Sequence, residues 1–220
     1  MKYNRFAPKK KAETDNWLLT YSDAVTLLLA FFVLMLAVST IDQSKFEYVV
    51  EALSHGTTGN YTSPFDEVEN KMLYVIKENN LQEQIQVERT AKGVNIDFSS
   101  AIFFHIGSEV LLNSAKVILA KIATILQEFE FKNYMIAVEG HTDNVPIRNT
   151  KIASNWELSA LRASNTIRFL ISEGVDSNHL KAIGYASTRP KVPNNDANGI
   201  PILSNQAKNR RVAIKIERES

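Results

Sequence analysis

The sequence predicts a membrane-anchored α+β protein, with one N-terminal transmembrane helix followed by a domain of mixed strands and helices. An apolar run covers residues 17–38 and is long enough to cross a hydrocarbon core of about 30 Å as a helix. From about residue 85 onward, short β-type segments alternate with longer stretches in which apolar residues recur at helical spacing. We expect the strands to form one sheet that is covered by helices on one face.

The apolar run is predicted to stay in the membrane rather than to be removed as a signal peptide. Residues 37–39 resemble a cleavage site, but a signal peptide has an apolar core of only about 7–15 residues and does not carry an acid such as Asp23. The tail at residues 1–16 is basic, and basic flanks stay in the cytoplasm. Its cationic residues are Lys2, Arg5, Lys9, Lys10 and Lys11. The chain after the span is therefore expected outside, in the periplasm of a cell with two membranes.

Asp23 lies about six residues into the span, roughly 9 Å along the helix. A charge near the middle of a span costs about 2.5–3.5 kcal/mol on insertion. At helical spacing Asp23 shares a stripe with Asn16, Thr20, Leu27, Ala30, Leu34 and Ala37. One helix cannot enclose a pathway, so an ion-binding carboxylate here implies partner helices from another chain. The alternative is an acid that is kept protonated and merely packed, or one that is paired with a neighbouring subunit.

Three segments follow the span. Residues 39–53 are amphipathic, with Asp42 as an N-cap, and predict a helix lying on the membrane or on a partner. Residues 54–66 are rich in Gly, Ser, Thr and Pro and are typical of a linker. Residues 67–220 are predicted to form the external domain, which begins with a helix over 67–79.

The external domain is predicted to hold five strands and two further helices around one core. The strands are expected at 85–89, 93–98, 134–140, 180–185 and 210–216. The helices are expected at 114–129 and at 155–174, the second ending at Gly174. The inward residues of the helix over 114–129 are expected to be Ala115, Ile118, Leu119, Ile122, Ile125, Leu126 and Phe129.

Composition argues against several classes of function. The net charge of +1 gives no reason to expect nucleic acid as a partner. The chain has no cysteine, which rules out disulfides and thiolate sites. The four histidines stand far apart, without the spacing of metal ligands. Because no nucleophile–base pair is visible either, we expect neither an enzyme nor a cofactor.

The chemistry of the external domain is concentrated in its loops. Asp143 follows a strand, Arg162 lies on the next helix, and Arg210 and Arg211 stand at the start of the last strand. Arginine can donate two parallel hydrogen bonds to a carboxylate, and aspartate accepts hydrogen bonds from ammonium groups. These residues therefore suit a zwitterionic ligand. Arg162 is expected on the exposed surface of its helix. A network of surface ion pairs is the alternative explanation for the same residues.

Two sets of motifs resemble known families. The string "GHTDN…NWELSALRA…GYASTRPKVPN…NRRV" resembles the OmpA-like peptidoglycan-binding domain, an α/β sandwich, over roughly residues 92–218. The string "WLLTYSDAVTLLLAFFVLMLAVSTID" resembles the single span of the flagellar stator B subunit, MotB. Together they predict a MotB-family protein of the inner membrane, with a cytoplasmic N-terminus and a periplasmic domain.

The resemblance implies an ion-driven motor. Two copies of the chain would sit inside a ring of five A subunits (MotA-like), each with four spans. Asp23 would load and release a proton or a sodium ion, and its charge change would rotate the ring and drive the flagellar rotor. The helix over 39–53 would match the plug that blocks leakage. The residues after Asp23 leave the choice of ion open.

The resemblance also implies an anchor in the cell wall. Asp143 and Arg162 match the residues that hold the diaminopimelate of the peptidoglycan stem peptide. The neighbouring positions that match are Thr142, Leu158, Ser159, Asn209 and Arg210. Two other functions remain open: a passive envelope tether, which needs no acid in its span, and the ion-driven membrane subunit of a Zorya-type anti-phage system.

Overall fold

The computed structural model describes residues 16–38, 63–90, 92–128, 134–147 and 151–218. The chain divides into two compact units, Met1–Phe46 and Glu47–Ser220. The predicted basic tail, the predicted helix over 39–53, Phe129 and most of the predicted linker lie outside the described residues.

The first unit contains helix α1, Asn16–Val38. Its stretch Trp17–Leu36 is long and apolar enough to cross a membrane, and every side chain in that stretch is exposed. Three hydroxyl groups in its first half donate to carbonyls one helical turn earlier, at 2.8–3.0 Å; they belong to Thr20, Ser22 and Thr26. These polar groups are therefore satisfied inside the helix, as an apolar environment requires.

The second unit is a five-stranded sheet in the order β1-β2-β5-β3-β4. Its helices are α2 Pro64–Glu78, α3 Ser100–Phe103, α4 Asn113–Glu128, α5 Asn155–Ser172 and α6 Leu203–Asn209, with a 3₁₀ turn at Ser177–His179. Its strands are β1 Ile85–Thr90, β2 Gly93–Ser99, β3 Tyr134–Gly140, β4 Leu180–Gly184 and β5 Arg211–Arg218. Neighbouring strands are antiparallel, except that β3 and β4 are parallel. All five predicted strands are confirmed, with ends within two residues.

One face of the sheet carries the apolar core. Ile96 on β2 lies opposite Ile214 on β5, which lies opposite Val138 on β3, and all three are fully buried. Helix α5 passes so close to this face that a Cβ on Gly140 would lie 2.0 Å from the Ser159 carbonyl oxygen. The apolar faces of α2 and α4 join the same cluster. The predicted sheet with helices on one face is therefore confirmed.

Helix α2 begins at Pro64, three residues before its predicted start. Proline suits the first helical position because its φ angle is already helical and its missing N–H group is not needed there. The Asp66 carboxylate accepts a hydrogen bond of 2.9 Å from the Ser63 amide, which caps the N-terminus of α2. Residues 64–66 therefore belong to the helix and not to the linker.

The opposite face of the sheet is polar, and charged groups are buried on it. Asp97 lies 2.5 Å from Lys191, while Glu139 lies 3.0 Å from Lys215 and 3.2 Å from His141. Burial raises the pKa of Glu139, but its hydrogen bonds with His141 and Lys215 outweigh burial, and the net pKa is lowered. Burial lowers the pKa of His141, which is only 2% exposed.

Candidate ligand-binding cleft

A cleft of about 620 Å³ opens at the end of the sheet where the central strands β2 and β3 end and β5 begins. Two loops form its walls, one following β2 and the other following β3, and α5 closes the back. The residues that line it are Ser100, Ala101, Phe104, His105, Ile106, Gly107, Thr142, Asp143, Val145, Pro146, Ile147, Asn155, Leu158, Arg162 and Arg210.

Arg162 is buried at the floor of the cleft, with 4% of its surface exposed. The prediction that it lies on the helix surface is therefore wrong. Its Nε donates to the Ser108 carbonyl at 2.9 Å, and its Nη2 donates to the His105 carbonyl at 3.3 Å. Its Nη1 contacts the Ser100 hydroxyl at 3.4 Å, and the guanidinium lies 5.0 Å from the centre of the Phe104 ring. The loop after β2 covers the side chain, which explains the burial.

The Arg162 guanidinium has no direct counter-ion in the described part of the chain: none of the carboxylates there lies within 4 Å of it. Burial, followed by the positive charge of Arg210, lowers the pKa of Arg162 to about 10. The group is still a cation at neutral pH. Because burying an unpaired charge is costly, a guanidinium in this position is typical of a site that receives an anion.

Asp143 and Arg210 form the second charged feature of the cleft. One Asp143 oxygen accepts from Arg210 at 2.5 Å, and the other accepts from the Val145 amide at 3.0 Å. The Thr142 hydroxyl donates to the Asp143 carbonyl at 2.8 Å, and the Asn155 amide donates to the Val145 carbonyl at 2.9 Å. The carboxylate is thus held in place, while the half-exposed Arg210 side chain leaves room for a ligand beside it.

The structure brings five of the seven predicted site residues to this cleft: Thr142, Asp143, Leu158, Arg162 and Arg210. Ser159 and Asn209 are fully buried and are not among the residues that line it. The Ser159 hydroxyl accepts from the Ala186 amide at 3.0 Å. The Asn209 side chain accepts from the Lys191 amide at 2.8 Å. Both residues therefore fix loops of the chain.

Arg211 was grouped with Arg210 by its place in the sequence, but the structure separates the two. Its Nε lies 3.5 Å from Asp97 on the polar face of the sheet, and burial lowers its pKa. The loop after β2, which supplies the partners of Arg162, was not predicted to contribute to the site. The signal that could have found this loop is Gly107 in "HIGS", a glycine between apolar stretches that is typical of a turn.

Asp23 is the sole charged residue between Trp17 and Leu36. The Thr26 hydroxyl donates to the backbone carbonyl of Asp23 and leaves the carboxylate untouched. Within the described ranges, no hydrogen bond or ion pair joins that carboxylate to another group. An acid held at this depth needs a proton, an ion or a polar partner from another chain.

An apolar helix with one embedded acid, and a separate α+β domain with a charged cleft, define a membrane-anchored ligand-binding protein. The OmpA family profile matches residues 103–202. The profile described as "Membrane MotB of proton-channel complex MotA/MotB" matches residues 3–56.

Comparison with whole proteins agrees with both matches. The chain is 34% identical to the uncharacterized protein YtxE of Bacillus subtilis, over 96% of this chain and 91% of that protein. It is 30% identical to Motility protein B of the same organism, over 94% of each chain. A crystal structure of a MotB-like protein from Desulfovibrio vulgaris matches with a TM-score of 0.60 and 27% identity, over 70% of this chain and 90% of that one. The chain belongs to the motility protein B family.

Proposed function

We propose that this chain is the B-type subunit of an ion-driven stator, with a span that carries ions and an external domain that anchors the unit to peptidoglycan. Family membership supports the stator role. The observation that carries the proposal is Asp23, the one charged group of the span, for which the described chain provides no partner. A passive tether gains nothing from an acid that costs about 2.5–3.5 kcal/mol to insert.

Asp23 works in this proposal as a carrier site. The carboxylate takes up a proton or a sodium ion from outside and releases it toward the cytoplasm. Its charge is therefore present for part of the cycle and neutralised for the rest. The change alters how strongly the helix is attracted to polar groups on the facing helices, which provides the force for a rotation step.

The carrier site requires partners, because one helix cannot screen a carboxylate from lipid on all sides. We infer a homodimer of this chain inside a ring of five four-span A-type subunits, as the resemblance to the stator family implies. The matching profile supports an A-type partner by naming a MotA/MotB complex. The chain then crosses the inner membrane once, with residues 1–16 in the cytoplasm and the sheet domain in the periplasm. The helix inferred at 39–53 closes the pathway until the unit is anchored.

The cleft suits the diaminopimelate of a peptidoglycan stem peptide, which presents carboxylate and ammonium groups on one side chain. A guanidinium has five N–H donors. Arg162 uses three of them on its own chain, at Nε, Nη1 and Nη2, and keeps the rest for a carboxylate. Arg210 can add a second cation at the mouth of the cleft. Asp143 accepts hydrogen bonds from the ammonium group, and its carboxylate is already oriented by Val145 and Arg210.

Genetic complementation tests the proposed function. The chain, expressed with an A-type subunit, is expected to restore swimming to flagellated cells that lack their own stator. Expression without that partner is the control and is expected to restore nothing. A chain that is present in the membrane beside its partner and still restores no swimming contradicts the flagellar role. Genes for a defence system beside this one would instead favour the Zorya-type alternative.

A further inference from the structure

The loop after β2 ends in a tight turn at His105–Ser108. The Ser108 amide donates to the His105 carbonyl at 3.0 Å, and Gly107 has a φ angle of +67°, which favours glycine. At the base of the loop, an isolated β-bridge joins Phe104 to Leu111. The geometry of this turn therefore fixes the direction in which its tip, Ile106, points.

Helix α5 holds this turn from below. The Arg162 guanidinium binds the carbonyls at both ends of the turn, those of His105 and Ser108. One helical turn further along α5, the Asn165 amide donates to the Glu109 carbonyl at 2.7 Å. Arg162, which lies at the floor of the charged cleft, therefore also positions the loop that forms the wall above it.

The tip of this wall is apolar. The Ile106 side chain is fully exposed, at 105% of its reference area, and it borders the cleft. Across the opening, the other wall presents Val145, Pro146 and Ile147, and Val145 is 52% exposed. An aliphatic group on each side of the opening thus stands above a floor that holds Arg162 and Asp143.

We propose that Ile106, with Val145–Ile147 opposite, forms an apolar lip that packs on the alanine residue next to diaminopimelate in the stem peptide. This inference rests on the proposed function, because the lip is continuous with the charged cleft assigned to diaminopimelate. The floor binds the charged ends of the ligand, and the lip buries the methyl group and backbone beside them. The cleft therefore distinguishes a stem peptide from free diaminopimelate.

Binding to the full chain in detergent tests the lip with two ligands. One is free diaminopimelate, and the other is the stem tetrapeptide alanyl-glutamyl-diaminopimelyl-alanine. Ile106→Ser is expected to weaken binding of the tetrapeptide about five- to tenfold, because some tens of Å² of apolar contact are lost. Binding of free diaminopimelate is expected to change less than about twofold. Ile106→Leu keeps the apolar tip and is expected to bind both ligands like the wild type.

Val117→Ser is the matched control, because Val117 is 60% exposed and does not line the cleft. It should leave both affinities unchanged. If Ile106→Ser binds the tetrapeptide as tightly as the wild type does, the lip is wrong while the proposed anchor stands. An equal loss for both ligands also overturns it, because Ile106 then supports the charged floor. A wild-type chain that binds neither ligand overturns the proposed anchor and the lip together.

Discussion

Arg162 combines two roles in a single side chain. It binds the segment after β2 through hydrogen bonds to Ser100, at the start of α3, and to His105 and Ser108 in the loop beyond. It also supplies the buried positive charge at the floor of the cleft. Lysine at this position can supply the charge, but an ammonium group cannot span two carbonyls as the planar guanidinium does. Substitutions at Arg162 can therefore separate the contribution to stability from the contribution to binding.

Arg162→Ala in a fragment of residues 47–220 is expected to lower the free energy of unfolding by about 1–3 kcal/mol, because two partly buried carbonyls lose their donor. It should also stop the fragment from co-sedimenting with purified peptidoglycan. Arg162→Lys should restore binding only in part. Urea unfolding and co-sedimentation, run on the same samples, check both effects.

Arg168→Ala is the control for this prediction, since Arg168 is an exposed residue of the same helix. It should leave stability and binding unchanged. If the Arg162→Ala fragment is folded and pellets like the wild type, Arg162 serves only its own loop and the cleft does not bind peptidoglycan through it.

His141 makes stability depend on pH. Its pKa is lowered by burial, so the folded state takes up this proton less readily than the unfolded state does. Its contribution is complete above the unfolded pKa of about 6.5 and is lost as the pH falls below that value. The pKa of Glu139 is also lowered, so protonation of Glu139 weakens the fold only below its ordinary value of 4.5.

The unfolding free energy of the 47–220 fragment is expected to decrease as the pH falls from 7.5 to 5. His141→Gln is expected to make this decrease less steep. The largest possible slope for one proton is about 1.4 kcal/mol per pH unit. Urea titrations at several pH values measure it, with His105→Gln, at an exposed position, as the control. A slope that is unchanged in His141→Gln and flattened in His105→Gln would contradict the assignment.

At the scale of elements, residues 42–53, which make up most of the predicted helix over 39–53, are the segment that the proposed function needs most, although they lie outside the described residues. If this helix closes the ion pathway, its deletion should make cells that also express the A-type subunit leak ions and grow slowly. Adding Asp23→Asn to the deletion should restore growth, because the leak passes through the carrier site. Growth that is normal after the deletion alone would mean that the segment is only a spacer.

The elements predicted from the sequence are those whose apolar residues repeat with a clear period. Helix α4 shows this best, since six of its predicted inward residues, from Ala115 to Leu126, are buried. Helix α6 escaped prediction because its seven residues, Leu203–Asn209, offer too few apolar positions for a period to show. The start of α2 was missed because Ser and Pro favour both linkers and helix caps.

The cleft could be predicted in part, because motif residues on three elements converge at one edge of the sheet. The burial of Arg162 could not, since it depends on a loop 54–62 positions earlier in the chain folding over the helix. Periodicity describes which face of a helix is apolar, and it does not show which polar residue another segment will cover. The place of Ile106 at the cleft could not be predicted for the same reason, because its proposed role depends on the wall opposite.

At the scale of the whole molecule, the proposed function joins an ion-binding helix to a wall-binding domain in one chain. In that proposal, each part alone is insufficient for torque. A carrier helix without an anchor lets the unit turn with the rotor, and an anchor without the carrier acid is a tether. The combination of Asp23 with the Asp143–Arg162 cleft therefore defines the proposed motor, and Asp23 is the part that separates a motor from a tether.

The most direct test measures ion flux and swimming in cells that express the A-type subunit with either the wild-type chain or Asp23→Asn. Asparagine keeps the shape of the side chain and removes its titratable charge. Membrane fractions must contain equal amounts of both chains, so that insertion is not the variable. The expected result is that Asp23→Asn abolishes both flux and swimming. Flux and swimming at wild-type levels in Asp23→Asn would show that the span does not carry ions through this acid.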